Sequence, residues 1–300
     1  MSKPSFAKTV ALRGDPSCRE ALVRIAREAF RQIAANRAVV LESDAPEGAH
    51  QLRIGLTRLR AALKLFRPLL VEAKADRIAQ LARSLARAVG ALRDADVLIE
   101  DIVAPASAVP GADAAAMEAL KAALARHRLE MRDAARDALR SADWSALMLE
   151  LTLWPGTLGD ARALDRPITD YAGRSLDRSW RKVARMGRRI DDLDAEQRHA
   201  LRRALKRQRY GAEFLQTLYP ARKVRPFTRR LKTLQDIFGY MNDVEMARGL
   251  DAIALRHGVE PAGLQAAGFT LGWHSARLGA ALDHAGADWR ALKRETKFWR

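Results

Sequence analysis

Apolar residues recur every three or four positions along most of this chain, and that spacing places them on one face of an α-helix. The pattern predicts helices over about 15–41, 44–68, 73–90, 112–140 and 144–153 in the first half. In the second half it predicts helices over about 168–189, from 194 onward, over 226–239 continuing toward 257, and over 263–284. No stretch alternates apolar and polar residues convincingly, so the expected fold class is all-α, without strands. Asp44 and Asp194 are expected to cap the helices that follow them.

A motif of basic and apolar residues occurs twice, at an offset of 149 residues. The corresponding positions are His50 and His199, Leu52 and Leu201, Arg53 and Arg202, Gly90 and Gly239, and Asp94 and Asp243. An offset that stays constant over this length indicates an internal tandem repeat. We therefore predict two bundles of about four main helices each, residues 1–155 and 156–300, joined near 154–162.

The charge of the chain points to an anionic partner. Among 300 residues, 53 are Lys or Arg and 36 are Asp or Glu, which gives a net charge of +17. Such an excess repels itself in the compact state unless an anion occupies the positive surface, so nucleic acid, polyphosphate and anionic membranes are the candidate partners. Cys18 is the only cysteine, which excludes an intrachain disulfide. With no apolar run of the ~20 residues that a membrane span needs and no signal sequence, we expect a cytoplasmic protein without a membrane span.

Basic side chains form stripes beside the apolar faces of the predicted helices. In the two copies of the motif these residues are His50, Arg53, Arg60, Lys64 and Arg67, and His199, Arg202, Lys206 and Arg209. The helix before the second motif adds Arg174, Arg178, Arg181, Arg185 and Arg188. Acidic partners seldom accompany these stripes, apart from Glu213 at the position that matches Lys64. Because like charges four residues apart repel, we infer that an anionic ligand binds where two such helices face each other.

The histidines do not have the spacing of a metal site. None of the six belongs to a His-x-x-x-His or a Cys/His pair, so we predict no metal and no other cofactor. His50 and His199 are expected to donate a hydrogen bond to an anion or to a helix end. The others are expected to be structural or to lie at the surface; they are His127, His257, His274 and His284.

The repeated motif resembles that of the CHAD family, the conserved histidine α-helical domain, over about residues 18–299. The resemblance is carried by His50, Leu52, Arg53, Arg58, Leu59, Arg60, Gly90, Arg93, Asp94 and Asp96, and by His199, Lys206, Arg207, Arg209, Tyr210, Gly239, Asn242 and Asp243. It implies two four-helix bundles related by a pseudo-twofold axis, a basic central surface that binds inorganic polyphosphate, and association with polyphosphate granules. By position, it implies binding by His50, Arg53, Arg58, Arg60, His199, Arg202, Lys206, Arg207 and Arg209, to which the stripes add Lys64, Arg67 and the arginines from Arg174 to Arg188.

We therefore predict non-catalytic binding of polyphosphate. A nucleic-acid-binding protein is the first alternative, although only 6% of the residues are aromatic and few of them lie on basic faces. A phosphate-chain hydrolase is the second, and Asp94, Asp96 and Asp243 are its best candidate metal ligands. We expect these carboxylates to cap helices or to pair with arginines instead. The sequence does not indicate protein partners.

Overall fold

The computed structural model describes residues 2–70, 72–158 and 162–300, with only the backbone at Glu72 and Ala262. The α-helices of the first half are α1 Cys18–Glu42, α2 Pro46–Phe66, α3 Glu72–Val97, α4 Ala104–Ser107, α5 Ala114–Arg140 and α6 Ala142–Leu153. Those of the second half are α7 Ile168–Met186, α8 Ala195–Leu215, α9 Ala221–Met246, α10 Leu250–Arg256 and α11 Pro261–Arg294. The described residues form no strand, and the all-α prediction is confirmed. Residues 159–161, within the predicted junction, lie outside the described residues.

Helix caps follow the local sequence at two sites and differ from the prediction at a third. Ser17 and Asp194 each accept from the third residue of the following helix in a capping box. The prediction that Asp44 caps α2 is wrong: the N-cap is Ala45 and Pro46 is the first helical residue. Asp44 instead pairs with Arg132 and Arg136 of α5, at 2.7 and 3.0 Å, so its oxygens are not available to the helix.

Several helices end elsewhere than the pattern indicates. The helix α3 does not stop at Gly90 but continues to Val97, and α11 continues to Arg294. The helix α9 begins at Ala221 and contains Pro226 in its second turn, where a proline cannot donate to the carbonyl four residues before it. Beyond Met186 the chain tightens into a 3₁₀ turn at Gly187, where a Cβ atom would clash with the Trp289 ring.

The helix bounds recur at the offset of the sequence motif. Adding 149 to the bounds of α2 and α3 gives those of α8 and α9, and the 3₁₀ turn Arg67–Leu69 corresponds in the same way to Gln216–Leu218. The two halves also meet at the starts of α1 and α7, where two backbone hydrogen bonds of 2.9 Å join them. The tandem repeat, the pseudo-twofold axis and the division at 155/156 stay predictions.

The hydrophobic core joins the two halves. Both of its clusters contain buried residues from before and after residue 155, such as Leu120 and Leu250 in the smaller one. In the larger cluster α8 packs against both α2 and α7. Its approach to α7 is the closer one at Gly211, where a Cβ atom would lie 3.3 Å from Leu176 but an ordinary 3.7 Å from Leu65 of α2. Full burial of each large apolar side chain contributes roughly 1.5–3 kcal/mol, so these contacts are a rigid base for the polar side chains at their edges.

None of the helices formed by the described residues is both long enough and apolar enough to cross a bilayer.

Candidate anion-binding site

Basic side chains from several helices converge on one surface groove beside the α2–α8 contact. One cavity of about 480 Å³ lies between α2, α3 and α8, and a second of about 210 Å³ adjoins it between α2, α7 and α8. Lys64 and Arg207 line both cavities. We call the two together the basic groove, and its cationic lining residues are Arg60, Lys64, Arg67, Arg83, Arg178, Lys182, Arg203, Lys206 and Arg207.

Helical periodicity explains why these side chains share a groove. Arg60, Lys64 and Arg67 lie at steps of four and three residues, so they follow one face of α2. Between them, Leu59 and Leu63 point into the core. The same steps place Arg203, Lys206 and Arg207 together on α8, and Arg178 and Lys182 on α7. The apolar faces pack these helices together, and their neighbouring basic faces border one groove.

Most of the groove's cations have no acidic partner. In the part of the chain that the structure describes, no carboxylate lies within 4.0 Å of the charged groups of Arg60, Lys64, Arg83, Lys182, Arg203 or Arg207. We call these six the unpaired cations. Asp76 is the only acidic residue among the lining residues described, and it accepts from Arg67 at 3.0 Å. The groove is therefore strongly electropositive.

Mutual repulsion in the groove is visible in its pKa values. Burial, followed by the charges of Arg207 and Lys182, lowers the pKa of Lys64. The charge of Arg207 is the main cause that lowers the pKa of Lys182. Burial and Arg83 lower the pKa of Arg60. Each shift means that the charged form is less favourable here than in water, and a bound anion would reverse that effect.

Lys206 is the most perturbed of the groove's lysines. Burial, and then the charges of Arg202 and Arg53, lower its pKa to about 8, and Asp243 offsets this only in part. Arg53 and Arg202, the matching arginines of the two motifs, thus act on the same lysine. Both motif arginines therefore lie close enough to Lys206 for their charges to act on it.

The motif arginines outside the groove are held by polar partners. Arg53 donates to Asp94 at 2.5 Å and to the Gly90 carbonyl at 3.3 Å, and Arg202 donates to Asn242 at 3.3 Å. The prediction that acids seldom accompany the stripes is wrong for Arg53, because its acid lies on another helix and spacing along one helix does not reveal it.

Glu213 forms ion pairs with two further residues of the predicted site. Its carboxylate accepts from Arg58 at 3.0 Å and lies 3.3 Å from Arg209, so both arginines are already paired with an acid. The Arg58 side chain is 8% exposed and does not line the basic groove. As expected of the candidate metal ligands, Asp94 and Asp96 pair with arginines, the latter with Arg128 at 2.7 Å.

Only one arginine of the α7 stripe lines the groove. The side of α7 that faces it carries Ser175, Arg178, Ser179 and Lys182. The other members of the predicted stripe are exposed and are not among the lining residues; they are Arg174, Arg181, Arg185 and Arg188. The predicted stripe follows the arginines of α7, whereas the face of α7 that lines the groove is rotated from that stripe by about a quarter of a helical turn.

The two motif histidines also lie outside the groove. His50 is half-buried, and burial together with the charge of Arg93 lowers its pKa. His199 is exposed and lines a separate cavity of about 120 Å³ with Arg202 and Asn242.

Sequence reasoning missed three groove cations: Arg83, Lys182 and Arg203. Arg203 lies four residues before Arg207, and Lys182 four residues after Arg178, so helical spacing from residues already chosen could have found both. Arg83 lies on α3, outside both motifs, and only the packing of α3 against α2 brings it to the groove.

Comparisons with known proteins identify the family and the fold of the chain. A sequence model of the CHAD domain matches residues 24–250. The crystal structure of the CHAD domain from the plant Ricinus communis aligns with a TM-score of 0.84 and 30% identity, over 97% of this chain and 98% of that one. PptA from Streptomyces chartreusis aligns with a TM-score of 0.72 and 16% identity, over 92% of this chain and 99% of that one. Comparison with curated proteins gives no match. The chain belongs to the CHAD domain family.

Proposed function

We propose that the basic groove binds inorganic polyphosphate and does not hydrolyse it. The observation that carries the proposal is the convergence of the unpaired cations of α2, α3, α7 and α8 on one groove. Keeping like charges this close is unfavourable in the free protein, because each lowers the tendency of its neighbours to stay charged. A polyanion relieves that cost when it binds. The resemblance of the repeated motif to the CHAD family implies the same ligand.

The chemistry of the lining suits a phosphate chain. Polyphosphate has about one negative charge per phosphate and no bases, so it can be held by charge-assisted hydrogen bonds alone. The guanidinium groups of Arg60, Arg203 and Arg207 can each bind two phosphate oxygens at once, whereas Lys64 and Lys182 act as point charges. Because polyphosphate is concentrated in polyphosphate granules, we propose that the protein associates with these granules.

A nucleic-acid ligand has less support from the lining. Single-strand binders stack bases on aromatic side chains within a basic groove. Tyr210 is the only aromatic residue among those described as lining the two cavities, and it is 5% exposed, too little for a base to stack on it. Hydrolysis has less support for a similar reason, because metal-assisted cleavage needs a set of carboxylates and Asp76 is already paired with Arg67.

A competition experiment tests the ligand class. Labelled polyphosphate bound to the protein is displaced with unlabelled polyphosphate or with single-stranded DNA, compared per phosphate at fixed salt. We expect polyphosphate to displace the label at a far lower concentration, and we expect its chain length to stay unchanged when Mg²⁺ or Mn²⁺ is added. Equal displacement by DNA, or shortening of the chain, would contradict the proposal.

Paired variants test the location. Lys64→Gln with Arg207→Gln removes the two cations that line both cavities, and we expect at least a tenfold loss of affinity, because one charge-assisted hydrogen bond contributes about 1.5–3 kcal/mol. Arg174→Gln with Arg181→Gln removes the same charge from exposed positions on α7 outside the groove. We expect this control to have a much smaller effect. Similar losses in both would mean that the net charge, and not the groove, binds polyphosphate.

A further inference from the structure

A second polar cluster lies where α5 meets the end of α10, and none of its members lines the basic groove. It consists of His127 and Glu130 of α5 and His257, which follows the last residue of α10. One candidate ligand atom from each lies within 4.8 Å of the other two. The Nε2 atom of His257 is 3.8 Å from a Glu130 carboxylate oxygen, and the two imidazole rings meet edge to face at 5.8 Å.

The fold holds these side chains in place from both halves of the chain. His127 and Glu130 are three residues apart and so share one face of α5. The His257 N–H donates to the carbonyls of Ile253 and Ala254, and its own carbonyl accepts from Arg126 at 2.7 Å. Gly258, with a φ of +74°, then turns the chain. The smaller core cluster packs α5 against α10 and the start of α11, so the cluster rests on an apolar contact.

Two atoms of the cluster lack the partners that buried polar atoms normally have. His127 Nδ1 and His257 Nε2 are both buried, and neither has a hydrogen-bond partner among the described residues. An unsatisfied buried group costs about 1–3 kcal/mol, and native proteins contain few of them. Burial, and then the charge of His257, lowers the pKa of His127, which favours the neutral ring that a metal ion requires.

We propose that His127, Glu130 and His257 form a site for a divalent transition-metal ion, with Zn²⁺ as the best match. Two imidazole nitrogens and one carboxylate oxygen are a donor set that Zn²⁺ takes in tetrahedral sites, usually at ~2.0–2.2 Å, with a fourth position for water. Mg²⁺ and Ca²⁺ prefer sites made of oxygen alone. Closing the three atoms around an ion requires them to approach each other by about 1 Å. Glu130 can make that movement because its side chain is 52% exposed.

Such an ion would join the two halves of the molecule. His127 and Glu130 belong to the first half and His257 to the second, so binding would stabilise the contact between α5 and the turn at Gly258. The nearby charge of Arg256 opposes a cation, whereas Arg126 is engaged with the His257 carbonyl. The proposal does not depend on polyphosphate binding, because the two sites share no residue.

Zinc titration of the full chain tests this site. ZnCl₂ is added to polyphosphate-free protein in competition with a chromophoric chelator, and we expect one saturable equivalent together with a rise in Tm. Glu130→Gln and His127→Gln are each expected to weaken zinc binding by more than about tenfold, since loss of even an outer partner of a metal ligand costs 10–100-fold. Both variants should lose the rise in Tm, because only an ion that binds the folded state stabilises it.

His284→Gln is the matched control. This histidine is exposed on α11 and its Nδ1 lies 2.6 Å from the Ala280 carbonyl of its own helix, so its loss should leave zinc binding unchanged. Glu130→Gln alters an exposed side chain and should keep the helical circular-dichroism spectrum of the parent. The proposal is overturned if the parent shows no saturable zinc binding, if Mg²⁺ competes equally, or if the three variants bind zinc alike.

Discussion

Two grooves flank the packed pair of α2 and α8, and at matching positions of the two halves they differ in whether a carboxylate pairs with the arginines. The second, which we call the opposite groove, has a volume of about 710 Å³. At the 149-residue offset, its Arg209, Glu213, Arg58 and Lys232 correspond to Arg60, Lys64, Arg207 and Arg83 of the basic groove. Elsewhere the linings differ as well, since Asp76 corresponds to Arg225 and Lys206 to Thr57, but among these four pairs the charge is reversed at only one, Lys64 and Glu213.

That one difference changes what each groove can bind. In the opposite groove Glu213 pairs with both Arg58 and Arg209, and Arg58 also lies over the Phe214 ring at 5.1 Å. In the basic groove Lys64 adds a further charge to arginines that have no acid. We therefore expect affinity for an anion to depend less on the number of arginines in a groove than on whether a carboxylate of the protein already pairs with them.

The largest expected effect comes from making the basic groove resemble the opposite one. Lys64→Glu removes a cation and adds a carboxylate that can pair with Arg207 and Arg60, as Glu213 pairs with Arg58 and Arg209. We expect polyphosphate affinity to fall by about 100-fold, the equivalent of two charge-assisted contacts. The dissociation constant at fixed salt measures this, and the dependence of affinity on salt should become less steep.

The control for this prediction is Lys232→Glu in the opposite groove, which makes the same charge change at an exposed side chain. Its effect on polyphosphate affinity should be small. If the two reversals weaken binding equally, the comparison between the grooves is wrong.

The next effect is on stability and concerns the opposite groove. Glu213→Gln leaves the buried Arg58 guanidinium without a carboxylate, which we expect to lower the free energy of unfolding by roughly 1–3 kcal/mol. Lys64→Gln at the matching position removes a repulsive charge and should not destabilise the free protein. The two variants are compared by urea denaturation. A change in the midpoint with no change in the m-value measures the change in the free energy of unfolding. Equal destabilisation by both would show that the carboxylate of Glu213 has no special role.

Much of the fold could be predicted from local signals. Capping at Asp194, the apolar period of α2 and α8 and the 149-residue offset all depend on residues close in sequence or on a repeated motif. The errors arose where a distant contact decided the outcome. Asp44 does not cap α2 because two arginines of α5 hold it. Gly90 does not end α3, which continues to Val97, and the Gly90 carbonyl accepts from Arg53 of α2 at 3.3 Å.

The site could be predicted only in part. Six residues of the predicted site line the basic groove, and that they bind polyphosphate stays a prediction; they are Arg60, Lys64, Arg67, Arg178, Lys206 and Arg207. Spacing along one helix could not show that Asp94 lies opposite Arg53 or that Glu213 reaches Arg58, because each pair joins two helices. For the same reason it could not show that His127 and His257, expected to be structural or at the surface, lie side by side.

The smallest expected effect concerns a single side chain, Lys206. Its matching position in the first half is occupied by an uncharged residue, Thr57, so the opposite groove has no equivalent charge there. Its folded pKa of about 8 is below the ordinary value of 10.5, so the unfolded chain holds more protons between these two pH values and stability rises with pH across that window. Below pH 8 the charged Lys206 side chain lowers the stability of the free protein, but it can also contact a bound anion. The same ammonium group should therefore weaken the fold and strengthen polyphosphate binding.

Lys206→Met separates these two roles. At pH 7 we expect the variant to be more stable by about 1 kcal/mol, a value reduced for partial exposure, and this gain should shrink as the pH approaches 10.5. Its polyphosphate affinity should be several-fold lower at pH 7, because one charge-assisted contact is lost. As the pH rises through 8 to 9, the parent should lose affinity toward the level of the variant, while Lys232→Met, whose lysine pairs with Asp236 at 2.6 Å, should follow the parent. A parent whose affinity declines no more steeply than that of Lys206→Met over this range would show that Lys206 does not contact the ligand.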